Sequence, residues 1–207
     1  TPDPLASPLS LSYAQPSEQS NFLSLALGKK YTFSTPCTDN WMGCNDKDHT
    51  RLTDGYLGNP TGGGSYWSKS AGWDEKTPDV SIDLDLGQET HCAAIGLSSC
   101  GDNALSGGIA RRQSVEVLVS SDGKEFKSIG MVDFRSRYKN IPYNYMLADE
   151  EDMSGGAFYV PLPKPVNTRY IRYHAKFKSD FLTTELLVHD SVTIKPYPVS
   201  IALPGEE

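Results

Sequence analysis

No apolar run in this 207-residue chain approaches the ~18 consecutive residues that a membrane-spanning helix requires, so membrane insertion is not expected. A heptad repeat is missing too, which excludes a coiled coil. Basic residues are the scarcer charge, 19 against 26 acidic, for a formal net charge of −7. Without clustered lysine and arginine, the chain lacks what a nucleic acid or an anionic membrane would demand of it. HExxH, G-x-S-x-G, P-loop and dinucleotide fingerprints are absent. His49, His91, His174 and His189 are scattered, with no metal-ligand spacing. The acidic run 149–152 reads as a solvated segment rather than a glycosidase pair. No Asn-x-Ser/Thr acceptor occurs, because Asn59 is followed by Pro60. Catalysis is therefore not the expectation; an active site assembled from distant residues is a rival reading.

What is present is turn and strand material. The chain holds 18 glycines and 14 prolines, which break helices and favour short strands joined by turns. Residues 1–20 are rich in proline and serine and read as a linker or N-terminal arm; residues 195–207 read as a second linker. Between them, residues 21–194 form one domain. Two such ends suggest a module of a longer protein. Tyr31–Thr35 is β-branched and aromatic. Val80–Leu86 alternates, with Val80, Ile82, Leu84 and Leu86 on one face and Ser81, Asp83 and Asp85 on the other. Ser114–Ser120 does the same through Val115, Val117 and Val119, then runs into an Asp122-Gly123 turn and a strand over 125–129. Arg169–Phe177 and Glu185–Ile194 complete the strands, and Phe22–Leu27 suits one short helical turn. The fold class is all-β, an antiparallel β-sandwich with long loops.

Cys37, Cys44, Cys92 and Cys100 allow three pairings, and the sequence does not choose among them. Pairing them in order, Cys37–Cys44 and Cys92–Cys100, closes two short loops and would restrict the unfolded chain by roughly 2.5 kcal/mol each. Zinc is disfavoured, since there is no CxxC and no cysteine at ligand spacing from a histidine. Disulfides imply an oxidising compartment, so the expected localisation is secreted or extracellular.

Six segments in order resemble one family. They are Leu25-Ala26-Leu27-Gly28-Lys29-Lys30-Tyr31-Thr32, Leu52-Thr53-Asp54-Gly55, Val80 to Gly87, Val115 to Phe126, Arg169 to Tyr173, and Thr183 to Val188. Together they are similar to the discoidin and coagulation factor V/VIII type C domains, nearest to family 32-like carbohydrate-binding modules, and they span about residues 22–190. The resemblance implies a galactose-binding-like jelly roll.

It further implies a structural calcium ion. Its ligands would be the Asp54 carboxylate, the carbonyls of Arg51, Tyr56 and Thr184, and the Glu185 carboxylate, an oxygen-only set suited to a hard cation. The family's hydroxyl ligand is in doubt, because the matching Ser65-Tyr66-Trp67 follows an insertion. Asp39, Asp46 and Asp48 read as a solvated loop. Modules of this kind bind at their loop tips, where an aromatic platform meets the apolar side of a sugar and planar polar groups take its hydroxyls. Trp41, Trp73, Arg111, Arg112, Tyr143 and Tyr145 are the candidates, and Trp67 is the expected core tryptophan. The expected function is a non-catalytic carbohydrate-binding module that brings a larger secreted enzyme or surface protein to a polysaccharide or glycan. A cell-surface or protein-adhesion domain of the same fold is the alternative.

Overall fold

The structure, a computed structural model, describes residues 24–38, 43–55, 69–77, 79–100, 113–133, 155–178 and 180–191. The two expected linkers lie outside them. Ten strands are found among the described residues: Lys30–Phe33 (β1), Ala71–Trp73 (β2), Asp79–Cys92 (β3), Ala94–Cys100 (β4), Gln113–Ser120 (β5), Lys127–Met131 (β6), Gly155–Tyr159 (β7), Val166–Phe177 (β8), Phe181–Thr183 (β9) and Leu186–His189 (β10). Helix is confined among the described residues to 3-10 turns, at Gly43 and over Arg51–Thr53. The short helical turn expected over Phe22–Leu27 begins outside the described residues, and residues 25–28 form a hydrogen-bonded turn.

The strands form a five-stranded sheet in the order β1-β3-β8-β5-β6, a three-stranded sheet β10-β4-β7, and the pair β2-β9. All pairings are antiparallel. The core lies between the sheets. Ile82, Leu84, Val115, Val117, Ile171 and Tyr173 from the larger sheet meet Ile95, Leu97, Phe158, Leu186 and Val188 from the smaller. The period-2 alternation read from the sequence puts those residues inward and leaves polar ones outside.

Outside, β3 and β8 are laced by two bidentate pairs. Arg172 meets Asp83 at 2.7 and 2.8 Å, and Arg169 meets Asp85 at 2.9 and 3.0 Å. Both pairs are about one-third exposed, so solvent screens them and they act chiefly on register. The β5–β6 turn folds back over this face. Phe126 lies 3.9 Å under the Arg172 guanidinium, and the turn rests on Tyr170 at Gly123, whose φ of +73° and tight clearance both favour glycine.

The expected disulfides are not formed: Cys37 and Cys92 are thiols. Cys100 ends β4, six residues and therefore about 20 Å along the strand from Ala94, while a disulfide needs Cα atoms within about 7 Å. Short sequence spacing brings cysteines together only where the chain turns back, and here it runs extended. Cys92 joins the core, its Sγ donates to Thr90 O at 3.4 Å, and burial pushes the thiol up to about 12. Cys37 is turned toward main-chain groups of Asp46 and Gly72, and burial raises its thiol above the ordinary range.

On the outer face of the smaller sheet, His189 of β10 reaches across β4 to Tyr159 of β7, with Nε2 and Oη 2.9 Å apart. The ring is buried, and burial lowers its pKa from 6.5 to about 3. The folded state therefore keeps it neutral where the unfolded chain protonates it, and stability present above pH 6.5 is lost as the pH falls toward 3. Between pH 7 and pH 5 urea melts should show a loss of about 2 kcal/mol from this group, before most carboxylates titrate. His189→Gln should flatten that slope; an unchanged slope would place its origin elsewhere.

Candidate functional site

Two features stand where residues 43–55 wrap past β1, the edge strand of the larger sheet. The first is a loop hung on one buried carboxylate. Asp46, only 2% exposed, accepts from the Tyr31 hydroxyl, from Thr50 N at 3.0 Å and from Arg51 N at 3.3 Å. The Tyr31 hydroxyl in turn accepts from Leu52 N at 3.0 Å. Burial, and then its bond to Asp46, push the Tyr31 phenol far above its ordinary range, so it stays a donor. Asp46 is thus the loop's organiser and not part of a solvated acidic run. Asp46 reaches amides four and five residues on, beyond the two or three of an ordinary Asx cap, so no local spacing in the sequence marks it.

The loop is held at two more points. The Arg51 guanidinium donates through Nη1 to Gly43 O at 2.6 Å and Ser70 O at 2.9 Å. His49 adopts the left-handed region, φ 51°, and its Nδ1 lies 3.1 Å from Tyr31 O. A carbonyl only accepts, so Nδ1 carries the hydrogen. The ring stacks on Tyr31 with centroids 5.7 Å apart and meets Phe33 at 4.5 Å. This frame walls an open depression of about 390 Å³ lined by Gly43, Asn45, Asp46, Lys47, Asp48, Thr50 and Arg51. Amide, carboxylate, ammonium and hydroxyl groups converge there, which suits a ligand whose groups both donate and accept.

The second feature is a carboxylate pair. The 3-10 turn ends at Asp54, and the next amide, Gly55 N, donates to both Glu185 oxygens at 3.1 and 3.2 Å. Glu185 is fully buried. Burial first, then the facing Asp54 carboxyl, hold the Glu185 carboxyl well above the usual range, and the Gly55 amide offsets this in part. Asp54 itself is exposed, so the pair sets a buried carboxyl against one that reaches water, and a shared proton or a cation would stabilise the contact. Ser98 of β4 fixes this stretch of chain: its Oγ accepts from Thr184 N at 3.1 Å and Glu185 N at 2.8 Å, and it bonds the Thr184 hydroxyl. Among the described residues no three His, Cys, Asp or Glu side chains gather at metal-binding distance. A cation here would therefore need main-chain carbonyls and hydroxyls as well. Arg51, Asp54, Thr184 and Glu185 can supply such oxygens, so the residues present fit a hard cation.

Of the predicted ligand residues, Trp41, Arg111, Arg112, Tyr143 and Tyr145 lie outside the described residues, as do Tyr56 and Trp67. Trp73 is a correction. It is fully buried on β2, it stacks on Phe181, and its indole N–H donates to Thr35 O at 2.9 Å. A ring packed on both faces offers none to a sugar. The sequence reading missed β2 because Ala71-Gly72-Trp73 is too short to alternate, and the strand exists only through its pairing with β9.

The chain is an antiparallel sandwich with an open depression lined by the loop over 43–51. Residues 30–181 match the F5/8 type C domain, and the chain belongs to that family. The fold is shared with the C-terminal domain of a chitobiase from Bacteroides fragilis, at 16% identity and a TM-score of 0.50 over 81% of this chain and 96% of the other. Chitosan-binding module 1 from a chitosanase/glucanase of Paenibacillus sp. IK-5 is similar at 14% identity and a TM-score of 0.47, covering 80% and 98%. The lectin domain of lectinolysin, solved with Lewis B antigen, is similar at 15% identity and a TM-score of 0.47, covering 81% and 96%. No curated protein matches the chain.

Proposed function

We propose that this domain is a non-catalytic module that binds a polysaccharide or glycan at its loop end and tethers a larger secreted or cell-surface protein to it. Membership of the F5/8 type C family carries the reading, and the polar depression framed by Asp46 gives it a place on the molecule. The chitobiase domain has the same fold at the end of a glycan-processing enzyme, which is the arrangement proposed here. With the disulfides gone, the extracellular placement rests on where such glycans are met. Trp41, Arg111, Arg112, Tyr143 and Tyr145 are proposed to add to the contact.

An open depression covers little of its ligand, so the dissociation constant should be of order 10⁻⁵ to 10⁻³ M. Lys47→Ala combined with Asp48→Ala should weaken retention on a polysaccharide gel at least tenfold, while the melting curve stays put because both residues are exposed. If a glycan array and the gel both show no binding while a protein partner is retained, the adhesion reading takes its place.

Calcium is proposed as the cation of the carboxylate pair. When bound it would neutralise Asp54 and Glu185 and tie the 3-10 turn to β10. A ligand bound at 100 times its dissociation constant stabilises by about 2.7 kcal/mol. Calcium should therefore raise the melting temperature of the native chain, and Glu185→Gln should abolish that rise. A wild-type melt indifferent to both calcium and chelator would remove calcium from the account.

A further inference from the structure

We propose that the Arg51 side chain makes the depression over 43–51 a site for a carboxylate-bearing sugar, an inference that rests on the glycan reading above and names an acidic glycan, one that contains uronic acid residues. Only part of the Arg51 guanidinium is in use. Its Nη1 donates to two main-chain carbonyls, Gly43 O at 2.6 Å and Ser70 O at 2.9 Å, which fixes the plane of the group. Nε and Nη2 have no hydrogen-bond partner, and no carboxylate pairs with Arg51, among the described residues.

The chain itself shows what that free edge does. Arg169 and Arg172 each hold an aspartate through Nε and Nη2, the two parallel N–H groups along the side of the guanidinium. In Arg51 the same fork is empty. Arg51 is half-buried and lines the depression together with Gly43, whose carbonyl it braces. The acids nearby do not match its charge. Asp46 Oδ1 accepts from the Thr50 and Arg51 amides and its Oδ2 from the Tyr31 hydroxyl, so both oxygens are taken. Asp48 is exposed, where solvent screens it, and the equally exposed Lys47 adds a second cation to the lining. An anion is therefore the partner this edge suits. Two parallel donors match the two oxygens of a carboxylate, whereas a sugar hydroxyl offers one. One fork and one lysine are too few for a polyphosphate chain, and they are enough for a single uronate.

Isothermal titration of the full chain with polygalacturonate, alginate and hyaluronan, each beside its carboxyl-reduced form, tests this. Reduction turns the carboxylate into a primary alcohol and keeps the sugar backbone. At least one acid polymer should bind ten times or more tighter than its reduced form. Arg51→Lys keeps the charge and a donor for the two carbonyls, but an ammonium has no fork. Its preference for the acid form should fall to about threefold or less, with a melting curve to check the fold. Equal binding of acid and reduced forms in all three pairs overturns the proposal. So does an undiminished preference in Arg51→Lys, or dextran sulfate binding as tightly as the preferred uronate polymer, since either would mean diffuse attraction of polyanions. Should Arg51→Lys fail to fold, the paired polymers still decide the question on the wild-type chain. Binding of neutral glycans with no carboxyl preference ends this inference and leaves the glycan reading standing; no binding to any glycan removes both.

Discussion

Replacement of Trp73 by alanine should destabilise the domain by about 3–5 kcal/mol, read as a shift of the urea midpoint. The indole is fully buried, stacks on Phe181 at 5.7 Å, and takes the edge of Phe33 at 4.9 Å. Truncation leaves a cavity between β1 and the β2-β9 pair and removes the donor to Thr35 O. Trp73→Phe should cost less, since it refills most of the space and loses mainly the hydrogen bond. A surface platform would behave in the opposite way, with glycan binding abolished and the midpoint unmoved. That outcome would return Trp73 to the ligand site.

Gly96→Ala should cost about 3 kcal/mol or more, although it adds one methyl group. A Cβ on Gly96 would stand 2.0 Å from Phe158 O and 2.9 Å from Phe158 C and Tyr159 Cα. These are main-chain atoms of β7 and cannot swing aside. Relief would require β4 and β7 to part, opening the ladder that pairs Gly96 with Tyr159 and Leu97 with Phe158. The smaller sheet would loosen and release part of the core that Phe158 closes. Thermal melts and amide exchange of β4 and β7 would read the effect. Near-wild-type stability would show that this pairing tolerates a side chain.

The five-stranded sheet was legible because each of its long strands carries its own instruction. Val80 to Leu86, Val115 to Val119 and Ile171 to Ala175 alternate, and alternation alone assigns both the strand and the inward face. The carboxylate pair was legible only by resemblance, from Asp54-Gly55 and Glu185; nothing in either segment shows that residues 130 positions apart share a buried contact. Strands β2, β4, β7 and β9 were missed. Ala71-Gly72-Trp73, Ala94–Cys100, Gly155–Tyr159 and Phe181-Leu182-Thr183 are short, glycine-bearing or uniformly buried, so they lack a period-2 signature, and pairing with distant segments makes them strands.

The chain's own pattern decided that this is a two-faced β protein with particular valines, isoleucines and leucines inside, because burial of an alternating strand is a local property. Tertiary structure decided the rest. It placed Trp73 in the core, kept Cys37 and Cys92 as thiols, and turned Asp46 from a solvated acid into the post on which a loop hangs. Each of those outcomes depends on which distant backbone lies within reach, of a ring, a sulfur or a carboxylate. Spacing along the chain measures that reach only where the chain turns back on itself.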